Sequence, residues 1–280
     1  MTPQDRINKF KAKIKKFRLI DDTFMSVVFQ NAECTQLLIR AVLENNDLTV
    51  TQVDTQNSLK NLQGRSVRLD IIAHDSSGQV YNIEVQRRDS GALPKRARYN
   101  SALLDANISE PGEEMEKLPE TYVIFITEND YFQKGLPLYH VERVITELSQ
   151  TFNDGAHIIY VNGQYRGPKP IGAIMDDFFC DNVEDMKNPI LAKEVAKYKE
   201  TDKGVNHMCR IMEEIAAESR IEGRNEGRIE GRIEGRNEGR LETLLENVKS
   251  LLKSGMTLDK VADVLELSDE DRQYIKKNLG

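Results

Sequence analysis

The chain has no tryptophan, three cysteines and four histidines among 280 residues, and no apolar run near the roughly 20 residues of a membrane span. Cys34, Cys180 and Cys209 are too far apart for a zinc-ligand spacing or a disulfide framework, and His74, His140, His157 and His207 are equally scattered. A His/Cys metal centre and a Cys–His nucleophile pair are therefore not expected. The basic N-terminus lacks the apolar core of a signal peptide, which gives the expectation of a cytoplasmic protein without membrane contact. A net charge of −7 argues against a protein that coats nucleic acid non-specifically. Local distribution matters more than the sum. Arg6, Lys9, Lys11, Lys13, Lys15, Lys16 and Arg18 form one basic patch, and Arg87, Arg88, Lys95, Arg96 and Arg98 form another. Most charge runs are solvated faces, but the second patch adjoins the most informative stretch of the sequence.

That stretch is Val67 to Arg88. Val67, Leu69, Ile71 and Ala73 alternate with other residues, as do Tyr81, Ile83 and Val85, a pattern of strands with one buried face. Asp75-Ser76-Ser77-Gly78 is a turn signal between them. A three-residue loop, Ser76 to Gly78, pairs Asp75 with Gln79, Ala73 with Tyr81, Ile71 with Ile83 and Leu69 with Val85, so every apolar residue lands on one face. The same register sets Asp70 opposite Glu84, with Gln86 two residues on. Facing carboxylates destabilise a sheet. A divalent cation would compensate, and two carboxylates with open coordination positions suit Mg²⁺ or Mn²⁺. The competing reading, ordinary acidic residues on a solvated hairpin, is common enough to prevail if the two carboxylates stood alone.

Around the hairpin the chain alternates helices and strands. Asp22 is read as the cap of a short helix through Phe29, and Asn31 as the cap of a second helix with a Cys34, Leu37, Leu38, Ala41, Val42 stripe. Leu48 to Thr55 reads as a strand, followed by a polar connection from Asn57 to Arg65. Pro94 opens a helix whose stripe is Leu93, Ala97, Ser101, Leu104 and Ile108. Arg96 and Asn100 flank that stripe on one side and Arg98 on the other, while Lys95 and Tyr99 point away. For Arg96 a phosphate or supporting contact at the sheet edge competes with an ion pair to Asp89 or Asp105. Thr121 to Thr127 is a strand buried on both faces, which implies a parallel crossover from the hairpin. Leu138 to Thr146 is open between strand and helix; His157 to Val161 is a strand. Pro168 and Pro170 are read as closing the core, and the Asp176, Asp177, Asp181 region has no assignment. Pro189 starts a helix to Lys199, and Asp202-Lys203-Gly204 is read as a break.

Ile221 to Arg240 is a five-fold repeat, IEGR-NEGR-IEGR-IEGR-NEGR. Its period nearly matches a helical turn, yet each Gly costs about 1 kcal/mol in a helix interior. The expectation is a long helix that is firm when partnered, with a flexible charged spacer as the alternative. Leu241, Leu244, Leu245, Val248, Leu251 and Leu252 then form a stripe ended by Gly255, and Thr257 and Ser268 cap two short helices. The acidic residues of this tail argue for an assembly module rather than a DNA reader.

The segments DDTFMSVVF, GRSVRLDI, YNIEVQRR, KRARYNSALLD and ETYVIFITEND follow one another between residues 21 and 130. Each is weak alone, but the ordered set resembles the PD-(D/E)XK nuclease superfamily, and more closely its branch of PD-(D/E)XK nuclease family transposases, or recombination-promoting nucleases. The superfamily's Lys is Gln86 here. The resemblance implies an α/β, restriction-endonuclease-like mixed sheet flanked by helices. The domains then read as a basic arm at 1–16, a nuclease-like core at 17–203, a repeat helix at 204–240 and a small helical tail at 241–280. It implies a metal-dependent DNA endonuclease that promotes recombination or belongs to a mobile element. Asp70, Glu84 and the Val85 carbonyl would hold Mg²⁺ or Mn²⁺, and Gln86 would orient the attacking water. Arg87, Arg88, Lys95, Arg96 and Arg98 would bind DNA. Asp22, Glu33 and Tyr99 are accessory candidates. The chain would self-associate through residues 205–280. A catalytically weak or inactive fold acting in DNA binding or assembly, and RNA cleavage, remain as alternatives.

Overall fold

The computed structural model describes residues 3–59, 67–109, 112 and 114–279. The first helix, α1 (Pro3–Ile14), carries exposed lysines and buries Ile14. The next, α2 (Asp22–Val28), has Asp21 rather than Asp22 at its N-cap; the Asp21 carboxylate instead accepts the Arg18 backbone N–H at 2.8 Å. Helix α3 (Ala32–Leu43) is capped as expected, the Asn31 amide oxygen accepting from Glu33 N–H at 2.9 Å. Cys34, Leu38, Ala41 and Val42 are buried along it and Leu37 is half-buried.

Strand β1 (Val50–Leu59) runs past the expected end into residues read as connection, because it pairs antiparallel with β2 (Val67–Asp75) along its length. Residues 60–66 of that connection, and the side chain of Leu69, lie outside what the structure describes. The turn to β3 (Val80–Gln86) follows the sequence reading. Asp75 N–H donates to the Gln79 carbonyl at 3.1 Å, the Asp75 carboxylate accepts from Ser77 and Gln79 N–H, and Gly78 takes φ +85°. The register pairs Ile71 with Ile83 and Ala73 with Tyr81.

One expectation is corrected. The hairpin is not half-buried: Asn82 and Glu84, on its polar face, are 0 % exposed. The reason is what lies across that face and beside it. Helix α4 (Pro94–Ile108) carries the chain over the sheet to β4 (Thr121–Thr127), which pairs parallel with β3. Ala97 and Leu104 of α4 pack with Ile72, Val80, Val123 and Phe125 in one core cluster. Ile108 is only partly buried there, and Leu93, placed in the inward stripe by periodicity, is exposed at the N-cap.

Leu138 to Thr146 divides into β5 (Leu138–Val141) and β6 (Val144–Ile145), the latter pairing with β7 (Gln150–Thr151) as a separate small hairpin. Strand β8 (Ala156–Asn162) lies parallel to β4 and antiparallel to β5. Among the described residues the main sheet has six strands in the order β1-β2-β3-β4-β8-β5. This mixed sheet flanked by helices is an α/β, restriction-endonuclease-like fold. The unassigned region is a helix, α5 (Pro170–Phe179), with Ile171, Ile174, Met175 and Phe178 buried. Pro170 opens this helix rather than closing the core, and buried Asp177 accepts from Lys187 and Asn188 N–H. Asn188 caps α6 (Pro189–Lys199). Helices α2 and α3 lie against β1 and pack with α5 or α6, forming the second helical layer.

The break between α6 and the next helix exists as read but falls at Glu200 and Thr201, before Gly204. Gly204 sits in the first turn of α7 (Asp202–Lys253), where a β-carbon would collide with the Lys197 carbonyl. The chain divides into two compact units, Met1–Arg210 and Ile211–Gly280. The repeat is continuous helix, with Ile221, Ile229 and Ile233 more than half exposed. In the second unit α8 (Leu258–Val264) and α9 (Asp269–Asn278) share a core of Val248, Val261, Ala262, Leu267 and Ile275. Ser268 caps α9 as expected, its Oγ accepting the Asp271 N–H, and the Asp271 carboxylate receives the Arg240 guanidinium at 2.8 Å and 3.1 Å. Among the described residues no helix is long and apolar enough to cross a membrane.

Candidate active site

The alternation of β3 decides where its polar side chains go. Glu84 lies opposite Phe125 in the β3–β4 register, so it stands on the face that α4 covers. Asn82 and Gln86, two residues to either side, share that face. Asp70 is one residue beyond the Ile71–Ile83 pair on the neighbouring strand. Its carboxylate reaches across to accept the Val85 N–H at 3.0 Å.

Glu84 is surrounded by donors. Asn82 Nδ2 donates to Oε1 at 3.0 Å, Gln86 Nε2 donates to Oε2 at 3.4 Å, and the Arg96 guanidinium lies 3.6 Å from Oε2. Arg96 therefore pairs with neither Asp89 nor Asp105; the Asp105 carboxylate accepts from the Thr121 hydroxyl instead. The Arg96 side chain is 42 % exposed while Glu84 is wholly buried, so the guanidinium bridges the carboxylate and solvent. Gln86 is packed against Gly91, where a methyl group would overlap its amide.

Burial dominates the electrostatics. It raises the Asp70 pKa well above the carboxylate range, the Glu84 and Asp22 charges raise it further, and the Val85 N–H and Arg96 oppose the rise. Burial raises Glu84 as well, against the Asn82 hydrogen bond and Arg96. Without a compensating charge, the pair resists carrying two negative charges at once.

The other candidates divide. Asp22 contributes charge to both Asp70 and Glu84, so the fold brings it to the site. Glu33 is exposed on α3 and its charge acts on Cys34 instead. Arg87 is taken up by ion pairs to Asp21 at 2.8 Å and Glu128 at 2.9 Å. Arg88, Lys95 and Arg98 are exposed and Tyr99 is half-buried. Asn82, Asn100, Gly91 and Asp21 were given no site role by sequence reasoning, although Asn100 was placed beside Arg96 on the flank of its helix. A signal existed for the first two: Asn82-x-Glu84-x-Gln86 repeats every second residue along one strand face, and Asn100 follows Arg96 by one helical turn.

The donor set fits a hard divalent cation. Asp70 and Glu84 supply carboxylate oxygens, and burial holds both above the carboxylate range with Arg96 as the cation that opposes the rise at each. Among the described residues no group of three or more His, Cys, Asp or Glu is arranged to hold a metal. A small divalent cation needs fewer, since it keeps waters and takes one or two carboxylates.

No curated protein and no protein of solved structure matches the chain. The family model of the PD-(D/E)XK nuclease family transposase matches residues 24–164, half of the sequence, from within α2 to just past β8, with Asp70, Glu84, Gln86 and Arg96 inside it. The chain belongs to the PD-(D/E)XK nuclease family transposases.

Proposed function

We propose that the chain is a divalent-metal-dependent endonuclease that hydrolyses DNA phosphodiesters, making breaks that serve recombination or the movement of an element. The observation that carries the reading is the Asp70–Glu84 pair, Glu84 wholly buried and Asp70 half-buried, flanked by Arg96 and Gln86 within the family's matched span. Family membership supports a nuclease, and nucleases of this family typically use divalent metals.

In this reading Asp70, Glu84 and the Val85 carbonyl hold Mg²⁺ or Mn²⁺. The cation would supply positive charge against the phosphate and acidify a water. Gln86, whose amide NH₂ is already turned to Glu84, uses its amide oxygen to accept from the attacking water and so orients it. Arg96, anchored on Glu84 and open to solvent, sets its free face against the scissile phosphate and offsets charge that grows in the transition state. Exposed Arg88, Lys95 and Arg98 add phosphate contacts, which fix the duplex without reading its sequence. Arg87 contributes by tying α2 to the ends of β3 and β4 through Asp21 and Glu128. The exposed Ile229 and Ile233 face of the repeat takes a second copy of the chain.

The test is cleavage of plasmid DNA and of RNA with Mg²⁺, Mn²⁺ or EDTA, with Asp70→Asn as control. The expected result is metal-dependent nicking or linearisation of DNA, lost in EDTA and in the variant. Cleavage of RNA alone would overturn the substrate class. Binding of DNA without cleavage under any condition would replace the enzyme with an assembly protein.

A further inference from the structure

Two asparagines, Asn82 on β3 and Asn100 on α4, are buried in a largely apolar layer. Asn82 and Asn100 are both 0 % exposed, in company with Val80, Ala97, Leu104 and Val123. Asn82 Nδ2 is committed to Glu84 Oε1 at 3.0 Å and the Ile71 carbonyl at 3.4 Å. These acceptors fix the orientation of the amide and leave Oδ1 without a partner. Both polar atoms of the Asn100 amide, and the Ser101 hydroxyl, also have none.

The placement of the two residues says what they face. Helix α4 packs chiefly on β4 and β8 and reaches β3 through the side chains of its flank. At one end Arg96 reaches Glu84, and at the other Leu104 and Val80 belong to one core cluster. Asn100 is four residues, one helical turn, from both Arg96 and Leu104, and Asn82 is two residues from both Glu84 and Val80. This spacing puts the two amides at the same level of the buried layer, and no hydrogen bond joins them. Buried polar groups in native proteins are satisfied by protein or by ordered water. A polar pocket with two to four partners is where an internal water is held.

We infer that Asn82 and Asn100 are positioning residues that hold an internal water between β3 and α4 and, through it, fix the orientation of Glu84. The water donates to Asn82 Oδ1 and bonds the Asn100 amide, with the Ser101 hydroxyl as a further partner. Asn82 in turn presents its NH₂ to Glu84 Oε1, which leaves Oε2 to Gln86 and Arg96. Outer partners of this kind are what orient metal-holding carboxylates. The effect on metal binding rests on the proposed nuclease reading; the water site itself does not.

The experiment uses the full chain. Water–amide cross-relaxation by NMR is measured at the Asn82 and Asn100 side-chain amides of the metal-free protein, and Mn²⁺ binding is measured by titration calorimetry. The wild type is expected to show a long-lived water at both amides. Asn100→Leu, which fills the space with hydrocarbon, should remove the water signal at Asn82 and weaken Mn²⁺ binding about tenfold. Asn100→Ser, which keeps a hydroxyl and leaves room for water, should retain the signal and bind Mn²⁺ within about twofold of the wild type. If Asn100→Leu does not fold, Asn100→Val takes its place. No long-lived water in the wild type overturns the site. Equal Mn²⁺ losses in the Leu and Ser variants, or none in the Leu variant, overturn the positioning role. A wild type that binds Mn²⁺ and holds the water but cuts no nucleic acid sinks the nuclease reading and leaves this inference standing. A wild type that binds no Mn²⁺ sinks the metal reading and the positioning role with it, while the NMR result still decides the water.

Discussion

Asp70→Asn should stabilise the metal-free protein, and by an amount that grows with pH. Asp70 and Glu84 stand across neighbouring strands, one residue beyond Ile71 and Ile83. Side chains so placed are about 5 Å apart. At an effective dielectric near 20, two unit charges at that distance repel by about 3 kcal/mol. Arg96 offsets part of this, although its guanidinium is partly solvated. Asparagine keeps an oxygen that can accept the Val85 N–H, so the variant loses the charge without losing that bond. A net gain of about 2 kcal/mol is reasonable, which for a domain of this size corresponds to about 4–8 °C in Tm. The sign follows from linkage. The folded pKa values of both carboxyls are raised above their ordinary values. The native state therefore holds more protons than the unfolded chain between the ordinary carboxylate range and the raised values, and wild-type stability falls as pH rises through that window. The variant removes one of these groups, so its fall is shallower. Thermal unfolding in EDTA from pH 5 to pH 8.5 should show the two proteins close at the acid end and the variant ahead at the alkaline end. Added Mn²⁺ should reverse the order, because a ligand that binds only the folded state stabilises it. A variant less stable than the wild type at alkaline pH in EDTA, or a gap that ignores pH, refutes the facing-carboxylate argument.

Four further outcomes are expected. Arg96→Ala should lower the single-turnover cleavage rate about tenfold or more while weakening DNA binding less, with binding measured in Ca²⁺. Gln86→Lys should recover part of that loss, since its ammonium would take the place of the Gln86 NH₂ at Glu84; no recovery in the double variant would leave position 86 without an electrostatic role. Gly91→Ala should displace the Gln86 amide and slow cleavage with little effect on Tm, so unchanged cleavage would detach Gln86 from the chemistry. Truncation after Arg220 should give a smaller, folded particle by sedimentation, and a monomeric full-length chain at high concentration would dismiss assembly through the repeat. The cut falls after Arg220 so that it keeps Met208 and Cys209, which are buried in the first unit.

The residues that could be read from sequence are those whose instructions are local. Asp75 to Gly78 encodes its own turn through one carboxylate and one positive-φ glycine, and the alternation on either side then permits a single register. The juxtaposition of Asp70 and Glu84, the cap at Asn31 and the doubly buried Thr121–Thr127 strand follow from the same short-range logic. Arg96 was placed at the sheet by helical period alone, although its partner there was not fixed until the fold chose Glu84 over Asp89 and Asp105.

The tertiary structure decided whatever depends on which element lies next to which. The polar face of the hairpin looks solvated in sequence, since Asn82, Glu84 and Gln86 are ordinary surface residues. It is buried because α4 returns across it, which makes the two carboxylates costly to ionise and strands the amides of Asn82 and Asn100. Arg87 reads as a phosphate anchor beside the carboxylates, yet its partners are Asp21, 66 residues away, and Glu128, 41 residues away. Strand periodicity and turn chemistry act over a few residues and survive in the sequence. Desolvation and charge pairing act through space, between residues that only the packing of helix on sheet brings together.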